Sequence, residues 1–378
     1  MSPLSPTLAE ARTWIAGPMA RIVDEDHEHA GACIGFREEG ASGAPFAYPE
    51  ITGYALSLWA WLHELEPDPA EQRASDRAIA WLANLHERHG AFPGVVPLRS
   101  DWNDERADHA YLFDAGIILH GLLRQHGARG APGARALAER VVEWMEPRLD
   151  REELWAAELW RAPLQRPAAT RWSRHAGPHL AKVALGLLAS MRALGRTRDG
   201  QRAQALLERC RLFQCDDGRF FTDPQGDGTE LHAQAYAIEG LWVGAHVLDE
   251  PRFAVAAARG LRWMLAELES FERSGSADGR VKGHVRGDVR AQALRLGLLF
   301  GEIAPPLAGA TELLRARLLS HQLGADAEEL AGAFTFHARD RHPRHANFWV
   351  TSFALQALKL DEQRRRGAIG CFEPLALI

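Results

Sequence analysis

Cysteine is scarce in this 378-residue chain, and the sequence lacks several features that would each assign a class. The four cysteines, Cys33, Cys210, Cys215 and Cys371, are scattered and form no Cys-x-x-Cys pair. That excludes a disulfide framework and reads as reduced, buried thiols in a cytoplasmic protein. No apolar run approaches the ~18 residues of a membrane span. Residues 1–20 lack a basic segment followed by a continuous apolar stretch, so no secretory signal is expected. A Gly-rich phosphate loop, a Gly-x-Ser-x-Gly elbow and His-Glu-x-x-His are all missing, which argues against nucleotide-driven and serine-hydrolase chemistry. There is no excess of basic charge: 44 basic and 50 acidic residues give a net charge of −6. The two signs are mixed along the chain, so nothing suggests a nucleic-acid footprint.

Strand-like alternation is also nearly absent, whereas apolar residues recur at helical spacing almost everywhere. Six segments repeat one plan, in which a loop rich in Gly, Pro, His and Asp enters an apolar helix that a more charged helix follows. Glu50, Asp114, Pro178, Gln234, Asp288 and Asn347 mark the six junctions and recur every 54 to 64 residues. The segments 51–61, 115–123, 180–191, 235–247, 291–300 and 350–358 are apolar around most of their circumference, as helices buried on every side must be. Their partners, 70–87, 131–148, 198–213, 252–269 and 307–323, are amphipathic. In the first of these, Ala74, Ala78, Trp81, Leu82 and Leu85 share one side, and Arg73, Asp76, Arg77, Asn84 and Glu87 the other. The segment 5–23 supplies the sixth partner and closes the ring. The expected fold is all-α: a single (α/α)6 toroid of six inner and six outer helices, spanning 1–378 as one domain.

In such a ring all the inner-helix N-termini point to one mouth, and the longer insertions, 90–109, 155–178 and 271–287, precede inner helices and gather there. Residues distant in sequence therefore converge. Glu50 and Asp114 open neighbouring inner helices at equivalent positions, forming either an acid/base pair for a glycosidic bond or two carboxylates that merely favour the helix dipole. His175, His179 and His232 offer a second acid/base set, with structural hydrogen bonding as the alternative. His175 and His179 also have a metal-ligand spacing, but Gly177-Pro178 places the helix start between them, and no metal site is expected. Tyr48, Tyr54, His109, Trp172, Arg174, Gln234, Tyr236, Asp288, Arg290, Asn347 and Trp349 complete the mouth as candidate substrate-binding residues. Aromatic faces can stack on sugar C–H surfaces while amides and charges fix hydroxyls. The run 336–345 holds three His and three Arg. It suits an anionic group such as a uronate, sulfate or phosphate, or else forms a solvated basic loop.

The hairpin period with polar inner-helix starts resembles the six-hairpin superfamily of glycosidases and uronate lyases, whose ring is shared by sugar 2-epimerases and terpenoid cyclases. Tyr48-Pro49-Glu50-Ile51-Thr52-Gly53-Tyr54 is similar to a Tyr-Pro-Glu-Thr-Thr-Gly-Tyr motif of bacterial toroid proteins, some encoded with surface-polysaccharide genes. Asn347-Phe348-Trp349-Val350 resembles their closing motif. The unsaturated uronyl hydrolases use an Asp near an inner-helix start, to which Asp114 is similar in position. The Asp-x-Asp-Asp of squalene-type cyclases is missing; Cys215-Asp216-Asp217-Gly218 follows an outer helix and reads as a turn. The Cys and His zinc motifs of lanthipeptide cyclases are missing too.

The resemblance implies a carbohydrate-active enzyme, a glycoside hydrolase, lyase or epimerase, working by carboxylate and histidine acid/base chemistry. A non-catalytic glycan- or peptide-binding ring and a terpenoid-cyclase-like enzyme are the alternatives. A small-molecule or oligosaccharide substrate is the expected partner, with no cofactor, nucleic acid or membrane span; the oligomeric state is left open.

Overall fold

A computed structural model of the chain describes residues 4–41, 43–154, 156–159, 172–222, 228–274, 281–282, 285–300, 308–337, 343–367 and 372–378. Twelve α-helices among the described residues alternate between an inner and an outer ring. The outer ring consists of α1 (Pro6–Ala16), α3 (Pro69–His89), α5 (Ala134–Leu149), α7 (Thr197–Arg211), α9 (Pro251–Ser274) and α11 (Ala308–Leu319). The inner ring consists of α2 (Pro49–Leu65), α4 (Leu112–Arg129), α6 (Ala184–Leu194), α8 (Leu231–Leu248), α10 (Gly287–Leu299) and α12 (Phe348–Arg365), with α6 entered through a 3-10 turn, Pro178–Val183. Each inner helix packs on the next, and α12 packs on α2, so the ring closes.

Burial follows the sequence pattern. Every residue of α2 from Pro49 to Leu62 is buried. On α3 only the side carrying Ala74, Ala78, Trp81, Leu82 and Leu85 is, which gives an outer helix one apolar stripe toward the core. Small residues let the inner helices approach backbone to backbone. A Cβ on Gly121 of α4 would fall 2.3 Å from the Gly53 carbonyl oxygen of α2, and one on Gly240 of α8 would fall 2.1 Å from that of Ala181.

Two details depart from the sequence expectation. The first outer helix ends at Ala16 rather than continuing toward Val23. Pro18 disfavours helical geometry at Gly17, and the chain turns back there. The described residues also include eight strands of two or three residues. β1 (Phe36–Glu38) pairs with β8 (His345–Asn347), β2 (Phe46–Ala47) with β3 (Val96–Pro97), and β4 (His109–Tyr111) with β5 (Ala157–Leu159), all antiparallel; β6 (Thr229–Glu230) pairs parallel with β7 (Val281–Lys282). Strands this short cannot display alternation. Their role is positional: β2, β4, β6 and β8 lead into α2, α4, α8 and α12 and fix the residues at the mouth. The β1–β8 pair, with Phe36 opposite Asn347, ties the two ends of the chain together there.

Candidate active site

The order of the inner helices sets α2 opposite α8. Glu50 and Tyr54 lie one turn apart on α2, and His232 and Tyr236 one turn apart on α8, so each wall carries a titratable group above a phenol. Tyr54 and Tyr236 are both buried, and burial first, then their mutual proximity and the neighbouring carboxylates, keeps both phenols neutral. The Tyr236 ring lies 4.3 Å from that of His232 and 4.8 Å from that of Phe113, and Phe113 lies 5.8 Å from His179. Side chains from α2, α4, α8 and the 3-10 turn before α6 thus meet at one point. Tyr48, Tyr54, Tyr111 and Tyr236 are the only tyrosines in the chain. All four lie at the starts of inner helices, a compositional signal of the site.

Glu50 and Asp114 come together as their equivalent positions require. Burial pushes Glu50 up to about 7, against the Tyr48 hydroxyl and Arg106, which favour its charged form. Burial and then the charge of Glu50 push Asp114 well above the ordinary carboxylate range. Both buried carboxyls therefore hold their protons more tightly than isolated ones do. Arg106 was not foreseen from the sequence. It belongs to a 3-10 turn, Glu105–Asp108, inside the insertion before α4. Asp104 holds its guanidinium at 2.6 Å, and the group lies over the rings of Phe46 and Tyr48 at 4.8 and 5.4 Å.

The histidines divide. His232 is buried, its Nδ1 2.7 Å from Gln292 Oε1 and 3.4 Å from Asp288 Oδ2. Desolvation lowers it to about 4, so it is a neutral imidazole. His179 is buried on the 3-10 turn, and desolvation followed by repulsion from His232 lowers it to about 3. His175 is half-buried in the loop before Pro178, so the helix starts between the two, as Gly177-Pro178 predicted. Among the described residues no group of three or more His, Cys, Asp or Glu is placed to hold a metal ion.

Other predicted binding residues are already engaged. The Asp288 carboxylate is fully buried and accepts from Arg286 at 3.0 and 2.6 Å, from Trp349 Nε1 at 3.1 Å and from the Val289 amide at 2.9 Å. Against the cost of burial, these partners hold it far below the usual carboxylate range. Trp349 is thereby fixed with its ring edge-on to Phe336. Arg290 points behind the wall, to Glu272 at 2.6 Å and His321 at 2.9 Å. Gln234 spends both ends of its amide on backbone, accepting from Phe220 N at 2.7 Å and donating to Gly260 O at 3.0 Å. Asn347 caps α12 by accepting from Val350 N at 3.1 Å. His109 is buried with Nδ1 on the Glu105 carbonyl, and Arg174 pairs with Glu105 at 2.5 Å. Trp172 lies in a 3-10 turn with Arg174, and its side chain is outside the described residues.

Beneath the tyrosines is a second polar layer. Fully buried Glu239 receives Lys182 Nζ at 2.7 Å and Arg295, and Arg295 also donates to Gln356 at 2.9 Å. Lys182, Gln292 and Gln356 are polar inner-helix residues visible in the sequence, but Glu239, Arg295 and Arg286 were missed. Two of them, Glu239 and Arg295, lie seven residues after His232 and Asp288, on the same helix faces. Residues 374–378 fill the far end of the ring: His120 Nε2 donates to Leu375 O at 2.8 Å, and Lys182 Nζ to Ile378 O at 2.8 Å.

Within the described part of the basic run, Arg344 and His345 are already engaged. Arg344 is paired with Glu39 at 2.5 Å and Asp326 at 2.7 Å, and His345 stacks on Phe36 at 4.1 Å. Its residues 338–342 lie outside the described part. Asp216-Asp217 forms the expected turn, with Gly218 at φ +99° against the Arg259 backbone. Cys33 and Cys210 are buried free thiols, and Cys215 is half-buried; Cys371 lies outside the described residues.

Solved structures share this architecture over nearly their whole length. A cellobiose 2-epimerase from Spirochaeta thermophila DSM 6192 superposes with a TM-score of 0.68 at 16% identity, covering 97% of this chain and 100% of its own. The chain is an (α/α)6 toroid. An unsaturated glucuronyl hydrolase from Bacillus sp. GL1 matches this toroid with a TM-score of 0.66 at 16% identity over 96% and 97% of the two chains. A D-mannose isomerase matches with 0.70 at 11% over 95% and 100%. At these identities the likeness is one of fold. No protein-family model matches the sequence, and no curated protein does. No helix among the described residues is long and apolar enough to cross a membrane.

Proposed function

We propose that the toroid is a carbohydrate-active enzyme, a glycoside hydrolase, lyase or epimerase, that acts on a sugar or polysaccharide-derived substrate at the mouth of the inner ring. The observation that carries this reading is the opposition of a proton-bearing carboxyl pair, Glu50 and Asp114, to a neutral imidazole, His232, over a tyrosine floor. Asp114 supplies the general acid. Ionised Glu50 or neutral His232 takes up a proton on the other side, and His179 adds a second neutral imidazole. The phenols of Tyr48, Tyr54 and Tyr236 and the indole of Trp349 combine apolar faces with polar edges, which suits a saccharide ring. The solved toroids with this architecture include enzymes named for sugar epimerisation, isomerisation and uronide hydrolysis. Both the single-domain organisation and the cytoplasmic placement belong to this proposal; the latter is supported by the scattered thiols, two of them buried.

The test is incubation with a panel of reducing sugars, neutral oligosaccharides, saturated uronate oligosaccharides and unsaturated uronides in deuterated water. Deuterium at a carbon next to the anomeric centre identifies an epimerase. New reducing ends identify a hydrolase, and a new conjugated uronate absorbance identifies a lyase. Saccharide-dependent protection against melting with none of these products overturns the catalytic reading in favour of a binding ring.

A further inference from the structure

The mouth explains what His232 touches but not which of its nitrogens carries the proton. A neutral imidazole has one donor and one acceptor nitrogen, and only the acceptor can serve as a base. Three side chains from two adjacent inner helices decide the matter. Gln292, five residues into α10, lies 2.7 Å from His232 Nδ1 through Oε1 and 3.3 Å from Glu239 Oε1 through Nε2. An amide can be turned end for end, so its orientation has to come from its neighbours. Here it does. Glu239 is held as a carboxylate by Lys182 at 2.7 Å and by Arg295, and a carboxylate only accepts. The amide NH2 must face Glu239, which leaves Oε1 facing the imidazole. On the same side of the ring Asp288 Oδ2 lies 3.4 Å from Nδ1, and Arg286 and Trp349 hold it ionised. Two acceptors thus converge on Nδ1.

We propose that Glu239 and Gln292 are positioning residues that lock His232 as the Nδ1–H tautomer, leaving the Nε2 lone pair as the proton acceptor at the mouth. His232 and Glu239 are seven residues apart on one face of α8, and Gln292 spans the two from α10. The chain of contacts runs from the buried cations Lys182 and Arg295 through Glu239 and Gln292 to the imidazole. When Nε2 takes a proton, the imidazolium that forms keeps its Nδ1 proton on Gln292 and faces the Asp288 charge. The same nitrogen then returns the proton. The tautomer stands on geometry alone; its use in turnover rests on the enzymatic reading above.

Selective 15N-histidine labelling of the full chain tests the lock directly, with His232→Gln used to assign the signal. A pyridine-like Nε2 and a pyrrole-like Nδ1 are expected for His232 in the wild-type protein, and the reverse pattern overturns the proposal. In Gln292→Leu, and in the near-isosteric Gln292→Met should the first not fold, the Nε2–H form should become populated. An unchanged tautomer in a folded variant shows that Gln292 sets nothing and also overturns it. On a saccharide that is turned over, kcat should fall 10- to 100-fold, roughly the loss typical of a removed orienting partner, with KM nearly unchanged. If the wild-type tautomer is as expected and no saccharide is turned over, the enzymatic reading fails while the lock stands.

Discussion

The charge of Glu50 on α2 raises the proton affinity of Asp114 on the neighbouring α4. Both carboxyls hold their protons above the usual carboxylate range, Glu50 up to about 7, and Asp114 is the one raised by its partner's charge. Asp114→Asn removes the acid and should lower turnover by roughly 100- to 10,000-fold, the usual range for a lost general acid. Glu50→Gln removes a negative neighbour, so Asp114 should release its proton at lower pH. The alkaline limb of kcat/KM should then move toward acid, as a pH–rate profile of the two proteins would show. An unmoved limb would mean that another group supplies the acid.

The same shift has a cost in stability. Glu50 is raised from 4.5 to about 7 on folding, so between these values the folded chain holds a proton that the unfolded chain has released. Stability is lost as pH rises through that window, by roughly 3 kcal/mol for a change of ~2.5 units. Glu50→Gln escapes the loss. Its melting temperature should match the wild type near pH 5 and exceed it at pH 8, as thermal melts at the two pH values would reveal.

Gln234 separates a mouth position from a mouth function. It marks a junction in the sequence repeat, yet its amide joins Phe220 N and Gly260 O in a fully buried setting. Gln234→Ala strands the buried Phe220 amide and should cost about 1–3 kcal/mol. Urea unfolding should register that loss while KM for any saccharide substrate stays within about twofold. A large KM change with unaltered stability would return Gln234 to the binding site.

What the sequence disclosed about this site depended on periodicity. The ring, the rank of inner-helix starts and the meeting of Glu50, Asp114, His179 and His232 all follow from a repeat of apolar and amphipathic helices. The repeat carries no information about side-chain direction within a turn. Arg290 lies two residues from Asp288 but points outward to Glu272, and Asn347 is spent as a helix cap. Arg106 was hidden because it arrives on an irregular insertion. Glu239 and Arg295 were hidden for the opposite reason: charges deep in apolar helices look like boundary errors until Lys182, Gln292 and Gln356 are seen to satisfy them. Buried charge of this kind requires partners, and those partners lie on other helices.

Close backbone approach makes the convergence geometrically exact, and two glycines test it. Gly240 of α8 leaves no space for a side chain, since a Cβ there would lie 2.1 Å from Ala181 O and 2.8 Å from Ala181 Cβ. Gly127 of α4 is exposed on the same kind of helix, and a Cβ there would have no atom within 4 Å. Gly127→Ala should stabilise the helix by up to about 1 kcal/mol. Gly240→Ala should destabilise by roughly 1–3 kcal/mol or more, because α8 must move away from the turn that carries His179 and Lys182. The displacement also separates His179 from Tyr236 and His232, so Gly240→Ala should lose turnover beyond its loss of stability, whereas Gly127→Ala keeps full rate. Melts and rates of the two variants, compared at a temperature where both are folded, decide it: equal rates would show that inner-helix spacing does not set the site.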